Sequence, residues 1–295
     1  MRRIVLLLII STFAYTFLNI FGYAGLQHLS LGFYLMALGI GALVSALAIV
    51  RLEKLSFVRK NVKTFALELS GGAALAISSI GVYAIYRSST LAGGQPLMGA
   101  AIIVFLAIDF IFFGKMMKRK ESLWLVAGVL AVAIGIFVIQ SNGFAFKFSI
   151  LPILVFMMVS QGIGFYLFLY GVKRQNSATR LVAFPAFLML IGLMCMALYN
   201  GPIWNGVSAL PFGLVIMSGV LLSVAVGFEV ISALPMKGES KWQDILGRNF
   251  VNNFTYMDIV FVMVWNVVVN AYTLQEIAGG LIILVGVLVL NKISK

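Results

Sequence analysis

The sequence predicts an all-α polytopic membrane protein, with ten transmembrane helices arranged as two five-helix repeats of inverted topology. Hydrophobic residues make up 62% of the 295 residues and charged residues only 10%, whereas a soluble domain carries about 25% charged residues. Apolar runs recur along the whole chain, and the lysines and arginines gather in alternate loops between them. This composition excludes a soluble enzyme, a disordered chain and a secreted disulfide scaffold.

Ten segments are long and apolar enough to cross a bilayer, which takes about 20 residues. The connections between them are short and leave no room for a separate extramembrane domain. We interpret the apolar run after Met1 as the first membrane helix, because no cleavage motif for a signal peptide ends it. The predicted spans are 4–24, 31–50, 65–86, 96–113, 123–140, 148–172, 181–199, 211–234, 249–269 and 274–290.

The basic residues predict the orientation of these spans. With the amino terminus inside, only Arg87 and Lys147 of the 21 lysines and arginines fall in outside segments. The positive-inside rule therefore predicts a multi-pass protein of the cell (inner or plasma) membrane with both termini cytoplasmic. The net charge of +12 follows from this topology, so we expect the lipid bilayer as a partner and no nucleic acid.

The closing span of each half has a similar sequence. AGVLAVAIGI at 127–136 and AGGLIILVGV at 278–287 both begin with Ala-Gly, and both carry a second glycine seven residues after the first. Each copy would hold five spans, an odd number, so the second copy enters the membrane from the opposite side. We assign residues 1–145 to the first repeat and residues 146–295 to the second, within one transmembrane domain.

This plan resembles the drug/metabolite transporter (DMT) superfamily, in particular its EamA-type ten-helix transporters. The resemblance covers nearly the whole chain in topology and rests on Gly128–Gly135 and Gly279–Gly286 in the closing spans. It also rests on the small-residue segment SSTLAG at 88–93, before span four. It implies a secondary transporter of metabolites or drugs, with a cavity lined by helices one, three, four, six, eight and nine.

Polar side chains at helical spacing within the spans are candidates for substrate binding, because a bilayer makes them costly to keep. In span three, Arg87 could guard the outer mouth; alternatively, it is an interface arginine bonded to loop carbonyls. In span nine, we favour the face that carries the asparagines and the tyrosine over the face of Asp258. The predicted substrate-binding residues are Tyr15, Asn19, Ser79, Tyr83, Arg87, Gln161, Tyr166, Asn252, Asn253 and Tyr256.

Three carboxylates are candidates for energy coupling: Asp109, Glu229 and Asp258. Asp258 lies near the middle of span nine, where a bare charge costs most, so it must be protonated, paired or facing water. A membrane-embedded carboxylate that binds and releases a proton can couple transport to a proton gradient. Glu68 lies one turn from the cytoplasmic end of span three, and we expect it to snorkel or pair with a lysine.

The sequence therefore predicts a secondary transporter that moves a small organic metabolite or drug-like solute by alternating access, with proton coupling as one possibility. A nucleotide-sugar or lipid-linked carrier is the alternative, although such anions need cavity-facing Lys or Arg that the spans almost lack. An intramembrane enzyme or a channel is a further alternative. His28 and Cys195 are the only residues of their types, so we expect no enzyme, no metal site and no cofactor. The sequence is compatible with either a monomer or a homodimer.

If Asp258 carries the coupling proton, Asp258→Asn abolishes transport that is driven by a proton gradient, because an amide cannot release a proton at physiological pH. Solute movement in membrane vesicles, with and without an imposed gradient, measures this. A variant that keeps its dependence on the gradient removes Asp258 from the coupling mechanism.

Overall fold

The computed structural model confirms the all-α class: ten helices and one short hairpin lie within the residues that it describes. These are residues 2–55, 57, 62–100, 103–104, 119–142, 145–146, 150–172, 178–198, 208–232, 257–269 and 272–293. The hairpin pairs Ser141–Asn142 with Ala145–Phe146 in antiparallel fashion. The helices are α1 (Arg2–Leu26), α2 (Leu31–Leu52), α3 (Val62–Ser88), α4 (Leu91–Gly99), α5 (Arg119–Gln140), α6 (Leu151–Val172), α7 (Ala178–Leu198), α8 (Ala209–Ser232), α9 (Met257–Val268) and α10 (Leu274–Ile293).

Six of these helices, namely α1, α2, α3, α5, α7 and α8, are long and apolar enough to cross a membrane. Shorter apolar stretches lie in α6, α9 and α10. On α5, six large apolar side chains from Leu123 to Phe137 are 52–66% exposed. Because a continuous apolar surface of this kind is unfavourable in water, the helices indicate a membrane-embedded protein.

The helix bounds follow the predicted spans within a few residues wherever both can be compared. The largest difference is at α4, which begins at Leu91 and not at residue 96. The cause is a helix cap: the hydroxyl oxygen of Thr90 accepts the backbone N–H of Gly93 at 3.1 Å, which satisfies one of the unpaired donors of the first turn. Most of the rest of predicted span four, and the first part of span nine, lie outside the described residues.

The main helix–helix interfaces join the first half of the chain to the second half. Helices α1 and α2 pack on α8, α2 and α3 pack on α7, α3 packs on α6, and α5 packs on α10. Helices that follow one another in sequence, such as α1 and α2, touch much less. Residues 1–145 and 146–295 therefore interleave in one bundle.

Glycines determine how closely α5 and α10 approach. A Cβ atom added to Gly135 would lie 2.6 Å from the carbonyl oxygen of Gly279, and one added to Gly279 would lie 2.7 Å from that of Gly135. Gly128 and Gly286 face each other in the same way, at 3.2 and 2.8 Å. In lipid, helices associate largely through the close packing that such small residues permit. The four glycines of the repeated sequence motif thus form one interface, the glycine seam.

Helix α8 packs on α1 and α2 through a similar use of small residues. A Cβ atom at Gly41 would collide with the carbonyl of Ile216, and one at Gly219 with that of Leu38. Serine hydroxyls add hydrogen bonds across the same interfaces, which leaves few polar atoms unsatisfied in the bilayer. They run from Ser11 to the carbonyl oxygen of Ala225 (3.1 Å), from Ser218 to that of Leu18 (2.9 Å) and from Ser223 to that of Ala42 (2.6 Å).

One end of the bundle, which we call the Thr90 end, contains the ends of α1 and α3 and the starts of α2, α4 and α10. Hydrogen bonds tie the turn between α1 and α2 to the last turn of α3, so these three helices are fixed to one another at this end. They run from Gln27 Nε2 to the Tyr86 carbonyl oxygen (3.1 Å), from the Tyr83 hydroxyl to that of Leu29 (2.8 Å) and from Arg87 Nη1 to that of Gln27 (2.6 Å).

We expect Gly135→Ala to destabilise the protein by about 1–3 kcal/mol, because the new methyl group meets backbone that cannot move away without separating α5 from α10. The matched control is Gly213→Ala on α8, where an added Cβ atom finds nothing within 4 Å; the better helix propensity of alanine stabilises this variant by up to about 1 kcal/mol. Thermal unfolding in detergent measures both. Equal melting temperatures for the two variants would contradict the role of the glycine seam.

Candidate functional site

A buried polar cluster lies between α1, α3 and α4, near the Thr90 end. The hydroxyl oxygen of Tyr86 lies 3.2 Å from Oδ1 of Asn19 and 2.5 Å from Oε1 of Gln95. The three side chains are 2–6% exposed. A phenol hydroxyl has one proton and therefore donates to one of the two amide oxygens at a time. Tyr86 thus links an amide on α1 to an amide on α4, and we call these three residues the Tyr86 cluster.

The local sequence explains how Tyr86 reaches α4. Residue 94 is a glycine, and a Cβ atom there would lie 2.6 Å from Cδ1 of the Tyr86 ring. Any other residue at 94 would push the ring away from Gln95. Thr90 caps α4, so the helix begins early enough to bring Gln95 beside the last turn of α3.

Tyr23 extends the cluster along α1. Its ring meets the Tyr86 ring edge to face, with the centroids 5.7 Å apart and the planes at 82°. This is a favoured geometry for an aromatic pair. The Tyr23 hydroxyl donates to the Ser89 carbonyl oxygen at 3.4 Å. Two tyrosine rings and two amides therefore meet at one junction of three helices.

A buried carboxylate, Glu276, lies beside this junction and is 9% exposed. It forms a capping box with Thr273 at the start of α10: the Thr273 N–H donates to Oε2 of Glu276 at 2.8 Å, and the Glu276 N–H donates to Oγ1 of Thr273 at 3.2 Å. Its other oxygen, Oε1, accepts a hydrogen bond from the Thr90 hydroxyl. The carboxylate therefore joins α10, from the second half, to α4, from the first.

The charges inside the described part of the bundle are acidic. Glu68 and Glu276 are the charged side chains that the structure describes as buried, and no lysine or arginine is among them. Amides and hydroxyls supply the other buried polar groups, including Thr12, Thr16 and Asn19 along α1. Such an interior accepts hydrogen bonds from a ligand and attracts positive rather than negative charge.

The polar residues predicted on α1 and α3 have different surroundings. Asn19 belongs to the Tyr86 cluster, and Tyr15 lies one turn before it, partly buried. The three residues of α3 bond to backbone: the hydroxyl of Ser79 donates to the Leu75 carbonyl oxygen at 3.2 Å, and Tyr83 and Arg87 hold the α1–α2 turn. The exposed Arg87 fits the alternative stated for it, an interface arginine bonded to a loop carbonyl.

On α6, Gln161 shares a helix face with Met157 and Gly164, which both contact α3. Its Oε1 atom is buried and has no hydrogen-bond partner among the described residues. Tyr166 lies further along α6 and is partly buried. The structure therefore puts Gln161 at the α3–α6 interface, with a buried acceptor that a ligand or water could satisfy.

The remaining predicted site residues either fall outside the described residues or are described by their backbone alone. Asp109, Asn252, Asn253 and Tyr256 fall outside the described residues. Glu229 lies in α8 and Asp258 in α9, and for both of them the description is of the backbone alone. Within the described part of the chain, no group of three His, Cys, Asp or Glu residues could hold a metal ion.

Sequence reasoning missed three members of the site: Tyr86, Gln95 and Glu276. One of them carries a readable signal, because Thr273 and Glu276 match the T-x-x-E spacing of a capping box. Tyr86 has no such signal, because only the fold brings its hydroxyl between two amides.

Comparison with known proteins shows a similarity of fold to solved structures. No family model and no curated protein matches this chain. Thirteen chains of solved structures do match. One of them, a crystal structure of a protein, aligns with a TM-score of 0.58 and 12% sequence identity over 96% of this chain and 94% of its own length. This chain is therefore similar to that protein in overall fold and differs from it at most positions of the sequence.

Proposed function

We propose that this chain is a secondary transporter of the drug/metabolite transporter type, which carries a small organic solute across the cell membrane by alternating access. The observation that carries the proposal is the Tyr86 cluster with its neighbour Glu276. Polar and charged groups buried within apolar helices are costly. Here they meet at a junction of helices from both halves of the chain. Secondary transporters bind their substrates at the interface between their repeats, and this junction lies on that interface at its Thr90 end.

The helix pairings support two inverted halves. If α1–α5 are exchanged with α6–α10, the pairing of α1 with α8 becomes that of α6 with α3, and the pairing of α2 with α8 becomes that of α7 with α3. All four of these pairings occur. The exchange leaves two further pairings unchanged, that of α2 with α7 and that of α5 with α10. The reciprocal contacts of the glycine seam obey the same exchange. A two-fold pseudo-symmetry of this kind is the usual architecture of alternating access.

The buried charges support a neutral or cationic substrate over an anionic one. Nucleotide-sugar or lipid-linked substrates carry phosphate groups, which need Arg or Lys in the cavity. The buried charges that the structure describes are carboxylates, so the alternative of an anion carrier is the weaker one. We propose Asp109, Glu229 or Asp258 as the coupling carboxylate, and both termini in the cytoplasm, from the sequence alone.

A screen of ligands by thermal shift tests the binding site directly. We expect a small organic amine or neutral polar solute to raise the melting temperature of the purified protein, because a ligand at 100 times its Kd stabilises the folded state by about 2.7 kcal/mol. Tyr86→Phe should weaken this ligand about 5- to 30-fold, since it removes a hydroxyl that organises two amides.

The control for this variant is Tyr34→Phe, which removes the hydroxyl of an equally buried tyrosine on α2, outside the Tyr86 cluster. It should bind the ligand as the parent protein does. Equal losses in both variants, or a screen in which only phosphate-bearing compounds stabilise the protein, would contradict the proposed site.

Reconstituted vesicles separate a carrier from a channel. We expect saturable uptake of the ligand found in the screen, and acceleration of labelled uptake by unlabelled ligand on the opposite side of the membrane. Both effects follow because a carrier exposes its site to one side at a time. A flux that rises linearly with concentration and shows no exchange would favour a channel.

A further inference from the structure

We propose that Thr90 and Glu276 form a latch that holds the Thr90 end of the bundle closed. The hydroxyl of Thr90, at the start of α4, donates to Oε1 of Glu276, at the start of α10. The two residues lie 186 positions apart in the chain and belong to opposite halves. This inference rests on the proposed transport by alternating access, and it adds the contact that controls one end.

The geometry allows the latch to open without the loss of either helix cap. Thr90 keeps its own bond to the N–H of Gly93, and Glu276 keeps both bonds of its capping box with Thr273. If α4 and α10 separate, each helix therefore retains its cap. A contact that breaks without unravelling either helix is suited to repeated opening and closing.

The closed latch is also electrostatically favourable. The Glu276 carboxylate lies between the amino termini of α4 and α10, and both helix dipoles present partial positive charge there. Gly93 permits the approach, because a Cβ atom at that position would lie 3.0 Å from Oε1 of Glu276. The neighbouring helix α1 contributes Tyr23, whose aromatic side chain covers the same region.

The position of the latch matches its role. Gln95 follows Thr90 by five residues, or about 7.5 Å along the axis of α4, so the latch lies between the Tyr86 cluster and the end of the bundle. The bonds of Gln27, Tyr83 and Arg87 at this end connect α1, α2 and α3 and therefore stay within the first half. They can remain intact while the latch opens.

Spin-label distances test this proposal without any substrate. Replacing the single cysteine, Cys195, with serine gives a background in which labels are placed at the exposed residues Ser88 and Gln275. We expect Glu276→Gln to raise the ratio of long to short distances about 10- to 100-fold, the effect of losing a hydrogen bond to a charged group. Thr90→Val should raise it at least as much, and it also removes the cap of α4. Glutamine also supports a capping box, so the start of α10 is preserved.

Two matched variants serve as controls. Thr90→Ser retains the hydroxyl, and Ser89→Ala removes a neighbouring hydroxyl that donates to the last turn of α3, at the Ile85 carbonyl oxygen (2.6 Å). Both should keep the parent distance distribution. Melting temperatures close to the parent value establish that each variant is folded.

A second measurement detects openings that are too rare for spin labels. A cysteine at the fully buried position Ala92, in the same background, should react with a water-soluble maleimide about 10- to 100-fold faster in the two latch variants. Parent-like distances together with parent-like reaction rates would overturn the latch. That result would leave the proposed transport activity intact, whereas an absence of ligand binding with a working latch would overturn only the transport proposal.

Discussion

Close backbone contact between helices of opposite halves is the constraint on which the rest of this structure depends. In a bilayer, lipid tails are as apolar as leucine side chains, so helices gain little from merely burying apolar surface against one another. They associate where backbones can approach closely, and here glycines provide that approach. Gly135 against Gly279 and Gly41 against Ile216 are two examples. The order of the bundle follows from these contacts.

The same constraint positions the polar groups. Because α4 lies against α9 and α10 while α1 packs on α8 and α9, the start of α4 is held close to both halves. Gly93 and Gly94 have no side chains, so other groups can approach this turn of α4 closely. Gly93 faces Glu276, and Gly94 faces the Tyr86 ring. A short glycine pair thus lets a carboxylate and a phenol approach the same helix from different sides.

Much of the fold could be predicted from sequence because membrane insertion is a local property. Apolar length and basic loops identify each span separately, and the observed helices agree with the predicted ones to within a few residues. The site was less predictable because it depends on which helices meet. Asn19 could be predicted as a site residue because it shares one helix face with other polar residues. Its partner Tyr86 lies 67 residues away in the chain. The sequence around Tyr86 does not distinguish it from Tyr83, whose hydroxyl donates to a carbonyl oxygen in the α1–α2 turn.

The interleaving of the two halves also has a consequence for how the protein is made. Helix α1 finds its principal partner only when α8 has been synthesised, close to 200 residues later. At synthesis rates of about 5–20 residues per second, the first helices wait on the order of ten seconds in the membrane with their serine and glycine faces unpartnered. Those faces are the most vulnerable to wrong association during biogenesis. Assembly is therefore limited by the arrival of the second half.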